Sequence, residues 1–228
     1  DKDRLKTPLV VTNYENAFNH PEMRILSAGH PIPNDDGLRA AQTIAETATD
    51  AGDHDLILAL ISGGASSLAP MPTPPLSLTD KQEVTQLLLM NGADIHEINT
   101  VRKHLSLIKG GRLAESCAPA ALITLAISDV PHDDPTVIAS GPTVPDPSTF
   151  SDALTVLRHF GITKPSNVIR HLEEAQNETP KPGRTTLENS RYLLAATPQK
   201  VLESAEKKAS RRGLNVIILG DSLEGESR

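Results

Sequence analysis

The stretch that decides the fold is Leu56-Ile57-Leu58-Ala59-Leu60-Ile61-Ser62-Gly63-Gly64-Ala65-Ser66-Ser67. Its first half is continuously apolar, which is typical of a strand covered on both faces in a parallel sheet. Its second half is polar and combines two glycines with three hydroxyl side chains. Ligands of open parallel sheets bind at the carboxyl ends of the strands. The stretch therefore predicts a buried strand over residues 56–61 that leads into a ligand-binding loop over residues 62–67.

A second segment has the same organisation. Residues 120–127 are apolar and predict another buried strand, and the polar loop Ser128-Asp129-Val130-Pro131-His132-Asp133-Asp134 follows at once. Short apolar runs alternate with segments of helical period along the rest of the chain, which indicates an α/β domain with a parallel sheet. Both polar loops are therefore expected at the carboxyl ends of strands, where ligands bind.

The remaining elements follow from helix caps and from periodicity. We predict further strands over residues 8–11, 23–26, 192–195 and 216–219, and a charged surface loop over residues 173–189. The helix that Asp94 opens is expected to end at Gly110-Gly111. The predicted helices begin at Asn34 or Asp35, at capping boxes of Thr79 with Gln82, Asp94 with Glu97 and Thr149 with Asp152, and at Pro198.

The composition excludes several classes of protein. The 228 residues carry 29 acidic and 22 basic side chains, and the net charge of −7 argues against a nucleic-acid partner or an anionic membrane surface. Three Phe, two Tyr and no Trp are too few for a base-stacking platform. The single cysteine, Cys117, cannot form an intrachain disulfide, and no apolar run is long enough to cross a bilayer. These features, with no charged and apolar leader at the start, predict a cytoplasmic protein without a membrane partner.

The loop over residues 62–67 is the first candidate site. Glycines let the backbone turn tightly, so that successive amide groups can point at one anion, and the hydroxyl groups add donors. The pattern is neither a P-loop, since no Lys-Ser or Lys-Thr pair follows, nor a GxGxxG fingerprint. The alternative is an ordinary turn after a strand. The candidate anion-binding residues are Ser62, Gly63, Gly64, Ala65 and Ser66.

Three carboxylates, Asp129, Asp133 and Asp134, form the second candidate site. Carboxylates at the end of a buried strand suit a magnesium ion or a general base. The alternative is that these aspartates form turns and cap helices, which is the commoner use of Asp in loops. Asp129 is the favoured residue because it lies nearest to the end of the strand.

A basic segment over residues 102–112 is the third candidate. It contains no acidic residue, and its basic residues are Arg102, Lys103, His104, Lys109 and Arg112. Asn99 and Arg102 flank the apolar face of the predicted helix, from which they can reach a crevice. The alternative is a solvated helix end, where cations favour the carboxyl-terminal dipole. His30 stands at another strand end and is a further candidate, although a lone histidine is more often structural.

Taken together, these pieces resemble the glycerate 2-kinase family, the ATP-dependent kind that often carries the older label hydroxypyruvate reductase. Each motif is weak alone, but the ordered series is highly specific and covers residues 29–149 densely. The motifs are Gly29-His30-Pro31, Ser62-Gly63-Gly64-Ala65-Ser66, Gly92-Ala93-Asp94-Ile95, Asn99-Thr100-Val101-Arg102-Lys103-His104-Leu105-Ser106, Lys109-Gly110-Gly111-Arg112-Leu113-Ala114, Ser128-Asp129-Val130-Pro131, Asp133-Asp134 and Ile138-Ala139-Ser140-Gly141-Pro142-Thr143.

The resemblance implies a Rossmann-like three-layer α/β fold, a parallel sheet flanked by helices, as the larger of two domains with the active site between them. It implies transfer of the γ-phosphate of ATP to the 2-hydroxyl of D-glycerate, with Mg2+, and assembly as a homodimer. Asp129 is then the catalytic residue, and Asp129, Asp133 and Asp134 hold the magnesium. Substrate or phosphate binds to Ser62, Gly63, Gly64, Ala65, Ser66, Asn99, Arg102, Lys103, Lys109 and His30.

The sequence departs from the family pattern in two ways. His132 stands where the family usually has glycine, so the turn after Asp129 is expected to differ. The segment with the family's Gly-Lys-Ala motif and most of the smaller carboxyl-terminal domain have no counterpart. We therefore expect residues 1–190 to form the main part of the larger domain, and residues 191–228 to lead, as strand, helix and strand, towards the smaller one. The chain alone is expected to be a poor catalyst.

Two alternatives remain open. An NAD(P)-dependent hydroxypyruvate reductase requires a glycine-rich dinucleotide fingerprint with an acidic residue about twenty positions further on, and the sequence contains none. The other alternative is a non-catalytic module that binds a sugar acid or a nucleotide. The kinase interpretation requires Asp129 and Arg102 to converge on one cleft, without an internal ion partner for either.

Overall fold

A computed structural model describes residues 6–221 of the chain. Within this part, the strands are β1 (Leu9–Asn13), β2 (Arg24–Ala28), β3 (Leu56–Ile61), β4 (Ala121–Ile127) and β5 (Ser190–Ala196). The helices are α1 (Asp35–Thr49), α2 (Ala65–Leu68), α3 (Leu78–Met90), α4 (Ile95–His104), α5 (Arg112–Cys117), α6 (Phe150–His159), α7 (Ser166–Glu174) and α8 (Pro198–Ser210). None of these helices is long and apolar enough to cross a bilayer. Residues 1–5 and 222–228, which the predicted domains include, lie outside the described part.

The strands form two parallel sheets. β1 pairs with β2, and β3, β4 and β5 pair in that order. At the carboxyl end of the larger sheet, Ile61 of β3 is the register partner of Ala126 of β4. The polar loops that follow the two strands therefore leave the same edge of the sheet side by side. The prediction of an α/β fold with parallel strands flanked by helices is confirmed.

Most of the core lies between helices. The apolar faces of α3, α4, α6 and α7 meet in one cluster, whose fully buried members include Leu88, Val101, Leu105, Leu157 and Leu172. A smaller cluster joins α1 and α5 to β4 through Ala48, Ala114, Cys117 and Leu122. The first cluster anchors α4, and with it the basic segment that the sequence marks as a candidate site.

The prediction that β3 is covered on both faces is wrong within the described residues. Its side chains alternate, and Leu56, Leu58 and Leu60 are 61%, 56% and 71% exposed. Side chains of a strand point to opposite faces in turn, so the helices that cover Ile57 and Ala59 leave the leucine face open. A continuous apolar run cannot distinguish a strand covered on one face from a strand covered on both.

Several predicted boundaries also differ from the structure. The capping box of α3 is formed by Ser77 and Asp80 instead of Thr79 and Gln82, because the Ser77 hydroxyl already accepts from the Asp80 amide. The helix that Asp94 opens ends at His104, and α5 begins after Gly111, whose φ of 84° is in the left-handed region. The capping boxes of Asp94 with Glu97 and of Thr149 with Asp152 are confirmed.

The carboxyl-terminal part differs most from expectation. Residues 216–219 form no strand in the described chain, and Ile217 and Leu219 are 84% and 79% exposed, because no neighbouring strand pairs with them. The predicted loop over residues 173–189 begins with the end of α7 and includes the buried residue Thr179. That segment therefore packs against the body of the domain instead of lying free on its surface.

The two kinds of leucine predict different mutational costs. Leu88→Ala removes a fully buried side chain from the helical core, and we expect it to lower the free energy of unfolding by about 2–5 kcal/mol. Leu58→Ala on the open face of β3 is the matched control, and its effect is expected to stay below about 0.5 kcal/mol. Denaturant titration followed by circular dichroism measures both, and equal losses would contradict the assignment of the open face.

Candidate functional site

The Asp129 carboxylate lies directly against the loop that follows β3. A Cβ atom built on Gly63 would overlap the Asp129 Oδ2 atom, so only glycine leaves room for the carboxylate at this position. Ser62, Gly63 and Asp129 are all exposed. The two polar loops thus meet at the sheet edge and present one carboxylate to solvent beside a glycine turn.

His30 joins the same group from the segment that follows β2. A Cβ atom on Gly64 would lie 3.0 Å from the His30 Nε2 atom, so the imidazole ring lies close to the Gly64 backbone. Gly64 has a φ of 82°, a left-handed conformation that glycine adopts readily. The structure therefore brings His30, the glycine turn and Asp129 together.

A chain of hydrogen bonds fixes the far end of the loop. The Ser66 and Ser140 hydroxyl oxygens are 2.9 Å apart, and the Ser140 hydroxyl donates to the Asn99 Oδ1 atom at 2.8 Å. The Lys109 Nζ atom donates to the Ser66 carbonyl at 3.0 Å, the Ser66 hydroxyl at 3.1 Å and the Ala139 carbonyl at 3.4 Å. Asn99, Ser140 and Lys109 are buried. Residues 99–109 and residues 139–140, which are far from the loop in sequence, are thereby joined to it by hydrogen bonds.

Left-handed backbone is concentrated in the segment after β4. His132 and Asp133 have φ values of 62° and 55°, and Ala139 and Ser140 have values of 54° and 62°. A non-glycine residue in this region carries strain, which folded proteins tolerate mainly at functional sites. The Ser140 carbonyl accepts from the Gly110 amide at 3.0 Å, which helps to hold Ser140 in position. His132, the departure from the family pattern, thus occupies a backbone conformation that favours glycine.

Three basic side chains that lie near one another are linked to the loop through Lys109. Lys81 and Lys109 are 6% and 3% exposed, and Arg102 is half-buried. Burial, with the charge of Arg102 beside it, lowers the pKa of Lys81 to about 7. Burial first, and then the charges of Lys81 and Arg102, bring the pKa of Lys109 well below its usual range. We call Lys81, Arg102 and Lys109 the cation cluster.

Lys81 was missed in the sequence, although a signal was present. On α3 it occupies the same helical stripe as the buried residues Val84 and Leu88, at a spacing of three and seven positions. A lysine within an apolar stripe is unusual, because an ammonium group costs free energy to bury without a partner. The sequence marks the position, but only the fold shows that Arg102 and Lys109 lie near it.

Lys103 has a different environment from the cation cluster. Its Nζ atom donates to the Asp146 Oδ1 atom at 2.7 Å, and both side chains are buried. Burial alone would raise the pKa of Asp146, but the hydrogen bond and charge of Lys103 lower it below its usual range. His104 is also buried, between the Thr100 carbonyl at 2.7 Å and Glu178 at 2.9 Å. The structure thus gives Lys103 an internal ion partner, and the interpretation of residues 103, 104 and 109 as a solvated helix end is wrong.

The three aspartates after β4 do not converge on one point. The Asp134 Oδ1 atom accepts from the Thr136 amide and hydroxyl, each at 2.8 Å, which is a turn interaction. In the described part of the chain, the Asp133 Oδ1 atom is buried and has no hydrogen-bond partner. Within residues 6–221, no group of three His, Cys, Asp or Glu side chains is placed to hold a metal ion. The oxygen donors of Asp129 and Asp133 still suit Mg2+, which usually takes one or two carboxylates and completes its shell with water and phosphate.

Asp129 and Arg102 are linked to the same loop, over residues 62–67, by different routes. Asp129 contacts Gly63, while Arg102 acts electrostatically on Lys109, which is bonded to Ser66. In the described part of the chain, neither side chain forms an ion pair. Both side chains are therefore linked to a loop at the carboxyl edge of a parallel sheet, where ligands of such sheets bind.

Comparison with known proteins identifies the family. The sequence model of the family described as "Domain of unknown function (DUF4147)" matches residues 2–173, and the chain belongs to that family. The chain is 40% identical over 226 residues to the D-glycerate 2-kinase of Thermotoga maritima, a match that covers 99% of this chain and 52% of that protein. It is 49% identical over 220 residues to an Agrobacterium vitis protein provisionally named hydroxypyruvate reductase, with 96% of this chain and 49% of that protein covered.

The solved structures agree with the sequence comparison. The crystal structure of glycerate kinase from Thermotoga maritima matches with a TM-score of 0.83 and 41% identity, over 93% of this chain and 50% of that chain. The expected membership of the glycerate kinase family is confirmed. The chain spans about half the length of the curated relatives it matches.

A structural role for Lys103 predicts a loss of stability. Lys103→Met leaves the buried Asp146 carboxylate without its cation, and we expect the free energy of unfolding to fall by about 3–5 kcal/mol. Lys200→Met, at an exposed position on α8, is the control and should change it little. Urea titration measures both variants, and a loss under about 1 kcal/mol for Lys103→Met would argue against the structural role.

The left-handed backbone at His132 predicts a gain of stability. His132→Gly relieves the φ of 62°, and we expect a gain of about 1 kcal/mol, seen as a rise in Tm of about 2–4 °C. His132→Ala removes the imidazole but keeps a Cβ atom, so it should give no such rise. Differential scanning calorimetry compares the two variants, and equal Tm values would show that the backbone is not strained there.

Proposed function

We propose that this protein is a glycerate 2-kinase, which transfers the γ-phosphate of ATP to the 2-hydroxyl of D-glycerate and produces 2-phosphoglycerate. The observation that carries the proposal is the Asp129 carboxylate, exposed against the Gly63–Gly64 turn of a loop whose Ser66 accepts from Lys109 of the cation cluster. The names of the relatives, D-glycerate 2-kinase and glycerate kinase, support the same reaction and substrate. Because the chain spans about half of those relatives, the activity is proposed for the whole protein that contains it.

Asp129 is the proposed catalytic residue. In phosphoryl transfer the protein takes little part in covalent bond changes. Most of the rate enhancement comes from positioning the substrates and neutralising the charge of the phosphates. Asp129 is fixed at the end of β4, and its carboxylate can accept the proton of the attacking 2-hydroxyl group. The same carboxylate is also the first candidate ligand of Mg2+, and both roles agree with an exposed oxygen at this place.

The loop over residues 62–66 and the cation cluster are proposed to hold the anionic groups of the substrates. Ser62 and the backbone amides of the glycine turn offer donors on the exposed side of the loop. Lys109 uses its three N–H groups within the protein, so it contributes charge and fixes Ser66. Arg102, which forms no ion pair in the described chain, has its guanidinium free for a carboxylate or a phosphate.

Residues that fit ATP and magnesium are present in the same region. Bound Mg·ATP supplies the phosphoryl group and neutralises part of its charge. Asp129 and Asp133 are the proposed ligands of Mg2+, since the Asp133 Oδ1 atom is buried without a hydrogen-bond partner among the described residues. Asp134 is the least favoured ligand of Mg2+ among the three aspartates, because one of its oxygens already accepts two hydrogen bonds from Thr136.

The division into residues 1–190 and residues 191–228, assembly as a homodimer and a cytoplasmic location remain proposals from the sequence. A reductase is not favoured, because the sequence lacks a dinucleotide fingerprint. A non-catalytic module would bind D-glycerate or nucleotide without turnover. The three functions differ in one assay: the kinase forms ADP with D-glycerate, the reductase oxidises NADH with hydroxypyruvate, and the module does neither.

The kinase proposal predicts a specific loss in an Asp129 variant. In the complete protein that contains this chain, Asp129→Asn is expected to lower kcat about 10²–10³-fold, because the amide neither accepts the proton nor carries charge. Coupled measurement of ADP formation with D-glycerate checks the loss, and the Tm should stay near that of the wild type.

Asp53→Asn is the matched control for this variant. Asp53 is exposed and precedes β3, at the end of the strand opposite to the site, so its kcat should match the wild type. Full turnover by Asp129→Asn would remove Asp129 from the mechanism. NADH oxidation with hydroxypyruvate, without ADP formation from D-glycerate, would replace the kinase by the reductase.

A further inference from the structure

Within residues 6–221, the Lys81 side chain is buried without a hydrogen-bond partner. It is 6% exposed, and its Nζ atom has no hydrogen-bond acceptor in the described chain. An isolated ammonium group inside a protein loses its hydration and regains nothing. A methionine or leucine would fill the same place on α3 at lower cost. A group that binds to the ammonium only part of the time would explain why a lysine stands there.

The charges around Lys81 point to the nature of that group. Among described residues, the charged side chains that act on the cluster are its own members: Arg102 on α4 and Lys109 after it. The acidic residues of α3, α4 and α7, the helices packed here, are bonded at helix starts (Asp80 and Glu97) or exposed (Glu83, Glu173 and Glu174). Three basic groups without a carboxylate favour an anion between them.

Lys81 and Arg102 both have N–H donors available for an anion. Lys81 makes no hydrogen bond, and Arg102 makes no ion pair within residues 6–221. Arg102 is partly exposed whereas Lys81 is buried, so an anion would enter past the guanidinium and reach the ammonium last. Lys109 stays on Ser66 and joins the cluster to the candidate active site.

We propose that Lys81 and Arg102, supported by the charge of Lys109, bind one oxyanion of the substrate, and that Lys81 takes up a proton when the anion enters. This inference rests on the proposed function, in which the oxyanion is the carboxylate of D-glycerate or a phosphate group of the nucleotide. In the empty cluster, burial and the charge of Arg102 hold the pKa of Lys81 at about 7, so its amine is mostly neutral only above that pH. Occupied, the anion stabilises the ammonium form.

The proton has a consequence for pH dependence. Anion binding above pH 7 must take a proton from solvent, so the affinity falls as the pH rises through the pKa of Lys81, about 7. Below that pH, Lys81 is already protonated in the empty cluster, and binding needs no further proton.

Isothermal titration calorimetry on the 228-residue chain tests the proposal. The probes are D-glycerate, inorganic phosphate and glycerol, which is a similar polyol without the anion. We expect D-glycerate or phosphate to bind and glycerol not to bind, and Lys81→Met to weaken the binding about 10- to 100-fold. Arg102→Met should weaken it similarly. Lys200→Met, an exposed lysine on α8, is the control and should bind as the wild type does.

The number of protons taken up per bound anion is measured by repeating the titration in two buffers with different heats of ionisation. Neither buffer contains a carboxylate or a phosphate. We expect uptake of about one proton per anion at pH 8 and about none at pH 6, and the loss of this uptake in Lys81→Met. Thermal denaturation checks folding, and Lys81→Met should keep or raise the Tm because it removes an unpaired buried amine.

The outcomes separate this proposal from the proposed function. If the folded Lys81→Met variant binds D-glycerate with wild-type affinity, and the wild type itself takes up no proton, the cluster proposal is overturned. The kinase proposal is then left intact. Binding of phosphate alone, dependent on Lys81 and with proton uptake, supports the cluster and assigns it to the nucleotide. Failure of both anions to bind the wild-type chain overturns the cluster, while kinase activity of the complete protein is judged by the Asp129 experiment.

Discussion

The hydrogen bond between the Ser66 and Ser140 hydroxyl groups links the loops that follow two neighbouring strands. Ser140 continues to Asn99 on α4, and Ser66 continues to Lys109. These contacts join segments 74 and 43 residues apart in sequence, and each of them is at least partly shielded from water. Such a network is strong when every member is satisfied. It keeps the glycine turn beside Asp129, on which the proposed chemistry depends.

The buried basic residues of this protein have two opposite kinds of environment. Lys103 meets Asp146, and the pair is held further by Ser148 and Thr179. Within residues 6–221, Lys81 and Lys109 have no acidic partner: Lys109 donates to neutral oxygens, and Lys81 makes no hydrogen bond. A buried pair mainly fixes the geometry of its surroundings, since the desolvation of both ions offsets much of their attraction. Basic groups without acidic partners attract an anionic ligand, which agrees with a role of the cluster in binding the substrate.

The sequence predicts β1 to β5 and the polar loops after β3 and β4, because apolar runs and turn residues are local signals, although the strand it predicts over residues 216–219 is absent. It also marks two candidates that the structure joins to the loop: Lys109, through a basic run without acids in a chain of net charge −7, and Asn99, which flanks the apolar face of the predicted helix. It cannot assign Lys103, whose partner Asp146 lies 43 positions away and is brought near only by the packing of the fold. It misses Lys81 for the same reason, and it cannot show that one face of β3 is open, because covered and open apolar strands have the same residues.

The open leucine face has a consequence for handling the chain in solution. β3 is an edge strand of its sheet in the described chain, so an unpaired backbone edge and the apolar side chains Leu56, Leu58 and Leu60 lie on the same element. This combination promotes edge-to-edge association and aggregation at high concentration. The 228-residue chain is therefore best purified dilute and assayed over a range of concentrations, so that self-association is separated from ligand binding.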